Sequence, residues 1–106
     1  MPTINSDQIL SRANALATQV AAGRVPDEQL SMALVHLKRH HDVAATLTLI
    51  AELRSSSFAR RSRSTAEQLR ILDESVRRAL RDLTSWEDAA MVLGWARRLV
   101  NYYARR

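Results

Sequence analysis

The stretch that decides the fold is residues 33–53, ALVHLKRHHDVAATLTLIAEL, because it returns 46 residues later as residues 79–99, ALRDLTSWEDAAMVLGWARRL. Seven of the 21 aligned positions are identical and no gap is needed. Each copy has the pattern of a helix, a turn with a carboxylate and a returning helix. Such a helical hairpin cannot bury its apolar face alone, so two stacked hairpins are expected. The alternative is that two amphipathic hairpins share the pattern by convergence.

The composition of the whole chain agrees with an all-helical fold. Among 106 residues there are 16 Ala and 14 Leu, but only 2 Gly and 2 Pro. That is too few turn-forming residues for a β-sandwich, a collagen-like chain or a Pro-rich linker. With 46% hydrophobic and 25% charged residues, the chain has the balance of one small globular domain.

Periodicity and capping residues predict five helices and one long loop, at 55–64. Gly23 is expected to take a left-handed conformation at the end of the first helix, and Ser64 with Glu67 has capping-box spacing at the start of the fourth. The predicted fold class is all-α, with two stacked αα-hairpins and an N-terminal helix covering one open end. The predicted helices are 6–22, 26–40, 42–54, 65–83 and 85–104.

A resemblance supports this architecture. Residues 83–89, LTSWEDA, with Ala96 seven residues further on, resemble the turn and second helix of a tetratricopeptide repeat, and residues 37–43, LKRHHDV, resemble a degraded copy. Such repeats carry an aromatic residue at the turn and small Ala residues where helices approach. The resemblance implies a scaffold for protein recognition rather than a catalyst, and it carries over no set of ligand-binding residues.

Positive charge is concentrated in the second half of the chain. Residues 1–53 carry 4 bases and 5 acids, a net charge of −1, whereas residues 54–106 carry 12 bases and 6 acids, a net charge of +6. Asp73 with Arg77 and Glu74 with Arg78 are spaced i, i+4, so part of this charge is expected to be paired. The rest could contact nucleic acid, or could be a solvated surface in an Arg-rich chain. The arginines expected to form a nucleic-acid surface are Arg60, Arg61, Arg63, Arg81, Arg97 and Arg105, of which Arg97 and Arg105 are predicted to lie unpaired.

A second apolar seam is predicted on the last helix. Trp95 is offset from the inner face that contains Trp86, and it lies near Leu99, Tyr102 and Arg98. Gly94 beside it would allow close backbone approach. We therefore predict that Trp95, Leu99, Tyr102 and Arg98 bind a protein partner. The alternative is a helix that is buried on two sides within the domain.

Signals for catalysis are weak, so the sequence predicts no enzyme and no cofactor. Cysteine is absent, and neither a nucleophile elbow nor a Gly-rich phosphate loop occurs. His36 and His40 share a helix face, but a zinc site needs further ligands, and Asp42 is better placed to cap the third helix. We therefore expect no metal site and attribute the histidines to the helix end.

The leading functional prediction is a non-catalytic protein–protein interaction module, an adaptor or small subunit of a bacterial assembly. Its partner would be another protein, with self-association as a further option. The alternative is a small basic subunit that contacts nucleic acid, because residues 93–99, LGWARRL, resemble the end of the small helical subunit of type III CRISPR effector complexes. No signal peptide or membrane span is found, so a cytoplasmic protein with no membrane partner is expected.

Overall fold

The structure, a computed structural model, describes residues 4–104 and confirms the all-α class. Five α-helices and no strand occur in that range. A short 3₁₀ turn, Ala59–Arg61, lies within the predicted loop. The helices are α1 (Ser6–Ala22), α2 (Asp27–His40), α3 (Val43–Arg54), α4 (Arg63–Ala79) and α5 (Trp86–Ala104).

Side-chain caps define where the helices begin. Asp42 caps α3 as predicted, because its Oδ1 accepts the backbone N–H of Ala45 at 3.0 Å. The prediction that Ser64 caps α4 is wrong. Ser62 holds that position instead, in an extended conformation, and its Oγ accepts the backbone N–H of Thr65 at 3.0 Å. Glu67 is therefore not part of a capping box, and its carboxylate is bonded to Arg70.

The end of α4 differs from the prediction by four residues. The apolar periodicity continues to Leu83, but the helix ends at Ala79. Beyond it, Asp82 has a φ of 66°, in the left-handed region, and the resulting turn returns Leu83 to the core, where it is buried. Leu83 is thus buried by a non-helical turn, and the helix does not need to continue to this residue.

Arg12 of α1 holds this end of α4 in place. Its Nη1 donates to the carbonyl oxygen of Ala79 at 2.9 Å and to that of Arg81 at 2.7 Å. Carbonyl groups at a helix C-terminus lack partners within the helix and carry partial negative charge, so a guanidinium is a favourable partner for them. The end of α4 is therefore stabilised by a residue 67 positions earlier in the chain.

Gly23 is needed for packing rather than for a left-handed turn. Its φ is −83°, and the left-handed residue is its neighbour Arg24, with a φ of 55°. A Cβ atom at Gly23 would lie 2.6 Å from Cδ1 of Ile71 on α4, closer than van der Waals contact allows. The glycine therefore lets the end of α1 approach α4.

The core is a single cluster to which every helix contributes. Helix α1 packs against both α5 and α4, with α5 as its most extensive partner. Helix α2 packs against α5 and α3, and α3 packs against α4. The N-terminal helix thus lies between the last two helices, whereas the prediction placed it over one open end. Side chains with almost no exposed surface include Leu16 of α1, Leu30 of α2, Ile50 of α3, Leu72 of α4 and Leu93 of α5.

The two sequence copies differ in the structures of their turns. Only residues 41–42 separate α2 from α3, and these two helices pack as a hairpin, but residues 80–85 separate α4 from α5, which barely contact each other. The stacking of two hairpins is therefore only loosely reflected in the packing. Repeat membership stays a prediction. The apolar positions of the two copies are nonetheless used alike, since Ala33, Leu34, Leu37 and their counterparts Ala79, Leu80, Leu83 are all buried.

Candidate interaction surfaces

Helix α5 presents one continuous exposed face to solvent. Five exposed residues spaced three or four apart define it, and we call it the α5 outer face: Glu87, Met91, Trp95, Arg98 and Tyr102. Residues at this spacing lie above one another on a helix. The exposed fractions of Met91, Trp95 and Tyr102 are 42%, 39% and 58%. Large apolar side chains are thus concentrated on the side of α5 that the domain does not cover.

The aromatic centre of this face is held by a cation. Cζ of Arg98 lies 4.9 Å from the ring centroid of Trp95, within the range of a cation–π contact. Because Arg98 follows Trp95 by three residues, the helix itself sets this contact. The guanidinium and the indole therefore form one amphipathic unit on the surface.

The structure brings three of the four predicted protein-binding residues together. Trp95, Arg98 and Tyr102 lie on the α5 outer face, but Leu99 is half-buried and packs against the core. Met91 joins the face, although the sequence prediction missed it. Its position four residues before Trp95 was the available signal.

Gly94 lies at the edge of the α5 outer face, and the rest of the described domain does not pack closely against it. A Cβ atom at this position would meet nothing within 4 Å in the described part of the chain, apart from its neighbours in the helix. Glycine inside a helix costs stability because it loses more backbone freedom on folding than alanine does. The packing within this domain therefore does not require a glycine at position 94.

Gly94→Ala is expected to raise the free energy of unfolding by about 1 kcal/mol, the difference in helix propensity between Gly and Ala. Urea denaturation followed by circular dichroism would measure it. Gly23→Ala is the matched control, and it should be less stable than Gly94→Ala because the side chain of Ile71 must move to admit the new methyl group. Equal shifts of the two midpoints in the same direction would contradict the packing described for both glycines.

The arginines predicted to bind nucleic acid do not form one surface. Arg60 and Arg61 lie in the 3₁₀ turn, and Arg63 begins α4. Arg81 follows the other end of α4, about 25 Å away at the rise of an α-helix. A separation of that size exceeds the screening length at physiological salt, so the two groups act separately. Arg105 lies outside the described residues.

Arg97 is paired, contrary to the prediction that it lies unpaired. Its Nη2 is 3.0 Å from Oδ2 of Asp27 on α2, and its Nε donates to Oδ1 of the same carboxylate. This bidentate hydrogen bond raises the pKa of Arg97 above its ordinary range. The contact joins α5 to the start of α2, so the charge of this guanidinium is compensated within the domain.

The buried carboxylate of Asp73 on α4 forms ion pairs with two arginines. The predicted pair of Asp73 with Arg77 is confirmed, at 3.1 Å, and Arg54 from the end of α3 contacts the same carboxylate at 2.9 Å. Glu74 contacts Arg70 at 2.9 Å and Arg54 at 3.5 Å rather than Arg78. Much of the positive charge of α4 is therefore compensated within the domain.

The histidines make contacts near the α2–α3 turn. The Thr46 hydroxyl lies within hydrogen-bond distance of two groups, the carbonyl oxygen of Asp42 at 3.1 Å and Nδ1 of His36 at 2.9 Å. The ring of His41 stacks on Trp86, with centroids 3.8 Å apart. Within residues 4–104 no three His, Cys, Asp or Glu side chains lie close enough together to hold a metal ion.

Comparisons of this chain with protein-family models, curated proteins and solved structures find no match. None of the helices in the described range has both the length and the apolar character that crossing a bilayer requires.

Proposed function

We propose that this chain is a non-catalytic helical module that binds a protein partner through the α5 outer face. The observation that carries the proposal is the exposure of Trp95 under the guanidinium of Arg98. Tryptophan, tyrosine and arginine are the residues that most often supply binding energy at protein interfaces. Met91 adds an adaptable apolar side chain to the same face.

The composition of this face also fits an interface better than a solvated helix surface. Apolar side chains occupy its centre, and Glu87 and Arg98 provide charge along it. Interfaces combine an apolar centre with a polar rim in this way. Arg98 is held over Trp95 before any partner arrives, so less side-chain freedom is lost on binding.

Nucleic-acid binding is the second candidate function, and one observation favours it. Arg60, Arg61 and Arg63 are exposed close together, and Cζ of Arg61 lies 5.2 Å from the ring centroid of the exposed Phe58. Cations beside an aromatic ring can grip a single strand by phosphate contact and base stacking. The patch is small, since Arg81 lies at the far end of α4 and Arg97 is paired.

Quantitative affinity capture from an extract of the source cells tests the leading proposal. We expect a protein that the wild type and Val35→Ala both retain and that Trp95→Ala loses, with a weakening of about 30-fold, as for a central interface residue. Val35 is the control because it is also an exposed apolar residue in a helix, on α2. Equal retention by Trp95→Ala would overturn the proposal.

A salt series tests the second candidate. Binding of the chain to single-stranded RNA and to double-stranded DNA would be followed by fluorescence anisotropy. Affinity that falls steeply with salt and disappears in the variant with Arg60, Arg61 and Arg63 all changed to Ala would favour nucleic acid. Affinity that is weak and unaffected by the triple change would exclude this patch as the site.

A further inference from the structure

We infer that the partner of the α5 outer face is a second copy of this chain, bound antiparallel to the first. The inference rests on the proposed function, because it names the partner of the same face. It follows from the order in which charged residues, apolar residues and a glycine occur along α5.

The charges on this face select the antiparallel orientation. Glu87 lies near the start of α5 and Arg98 lies eleven residues later, and both are exposed. In a parallel pair, Glu87 would face Glu87 and Arg98 would face Arg98, so like charges would repel. In an antiparallel pair with its twofold axis between positions 92 and 93, each Glu87 lies opposite Arg98 of the second copy. The arrangement contains this ion pair twice, as a closed twofold dimer requires.

The same axis matches the apolar side chains. Met91 and Gly94 are equally distant from the midpoint between positions 92 and 93, so Met91 of one copy lies opposite Gly94 of the other. Among residues 4–104, apart from its neighbours in the helix, nothing lies within 4 Å of the Cβ position at Gly94, which leaves a notch at that point. Trp95 borders the notch, so the thioether of Met91 would enter it beside the indole ring. A methionine sulfur beside an aromatic ring is a favourable contact.

One axis therefore satisfies the charge and the shape of the face together. Glu87 of one copy contacts the Arg98–Trp95 unit of the other. Met91 fills the space that Gly94 leaves on the surface of α5. This explains why a residue that destabilises a helix occurs next to an exposed tryptophan. It also explains why an acidic and a basic side chain flank Met91 and Trp95 on this face.

Charge exchange tests the inference directly. Sedimentation velocity of the full chain between about 1 μM and about 1 mM, a range that covers weak and standard interfaces, should show a monomer–dimer equilibrium. Glu87→Arg alone and Arg98→Glu alone should each weaken the dimer by about 10-fold or more, because two like-charge contacts are created. The double variant E87R/R98E should recover to within about 3-fold of the wild type, since both pairs are restored with reversed sign. Circular dichroism would establish that every variant is folded.

Arg60→Glu is the matched control, because Arg60 is an exposed arginine in the 3₁₀ turn, away from α5. It should leave the dimer unchanged. The inference would be overturned by a chain that is monomeric at every concentration, or by a dimer whose affinity is unaffected by the changes at Glu87 and Arg98. A double variant that stays as weak as the single ones would overturn it too.

The two experiments together distinguish failure of this inference from failure of the proposed function. A monomeric chain that still captures another protein in a Trp95-dependent way overturns self-association alone. A monomeric chain whose captured proteins are the same for wild type and Trp95→Ala overturns both.

Discussion

Leu93→Ala is expected to lower the free energy of unfolding by about 3 kcal/mol, within the range measured for buried leucines truncated in other cores. Leu93 has no exposed surface and lies in the middle of α5, the helix that packs against both α1 and α2. Truncation removes apolar surface from the core and leaves a cavity that packed helices fill only in part. Urea denaturation followed by circular dichroism at fixed protein concentration would measure the change.

Leu10→Ala is the control for this loss. It is the same substitution in a helix interior, but Leu10 is 42% exposed on α1. Its stability should stay within about 0.5 kcal/mol of the wild type, as for most surface substitutions. If the two variants shift the midpoint equally, α5 is not packed as described.

Asp73→Ala is expected to lower the free energy of unfolding by about 2 kcal/mol. The Asp73 side chain is 7% exposed, and its carboxylate accepts hydrogen bonds from Arg54 and Arg77. Hydrogen bonds to charged groups are stronger than neutral ones, and both are lost. The side chains of Arg54 and Arg77 are 39% and 53% exposed, so water can solvate them once the carboxylate is gone. The loss should therefore stay below that of a fully buried ion pair.

Glu74→Ala is the control, because Glu74 is the neighbouring carboxylate and also contacts Arg54, but its side chain is 43% exposed. We expect a change within about 0.5 kcal/mol, since exposed ion pairs contribute little. Salt should reduce the Glu74 effect more than the Asp73 effect, because exposed charges are screened more strongly. Equal losses for the two variants would show that burial of Asp73 does not matter.

The presence of the five helices could be predicted from the sequence because helix formation depends mainly on residues close together in the chain. Apolar spacing locates all five helices, and the Asp42 cap depends on residues only three positions apart. The exposed positions of Trp95, Arg98 and Tyr102 follow from the same periodicity. Leu99 could not be assigned in this way, because it lies at the edge between the inner and outer faces of α5.

The features that could not be predicted depend on contacts between distant residues. The end of α4 is stabilised by Arg12, 67 positions away, while the local apolar pattern continues past it. The partner of Arg97 is Asp27, 70 positions away, so its charge could not be known to be compensated. The demand for glycine at position 23 comes from Ile71 on another helix rather than from the local turn.

The central position of α1 also affects how the chain is made. Helix α1 precedes α5 along the chain, so α1 leaves the ribosome before its most extensive packing partner is synthesised. Until α5 emerges, the apolar side of α1 lacks this partner, and contacts between such distant segments close slowly. A nascent chain that stalls before α5 would expose this surface to chaperones, proteases and other nascent chains.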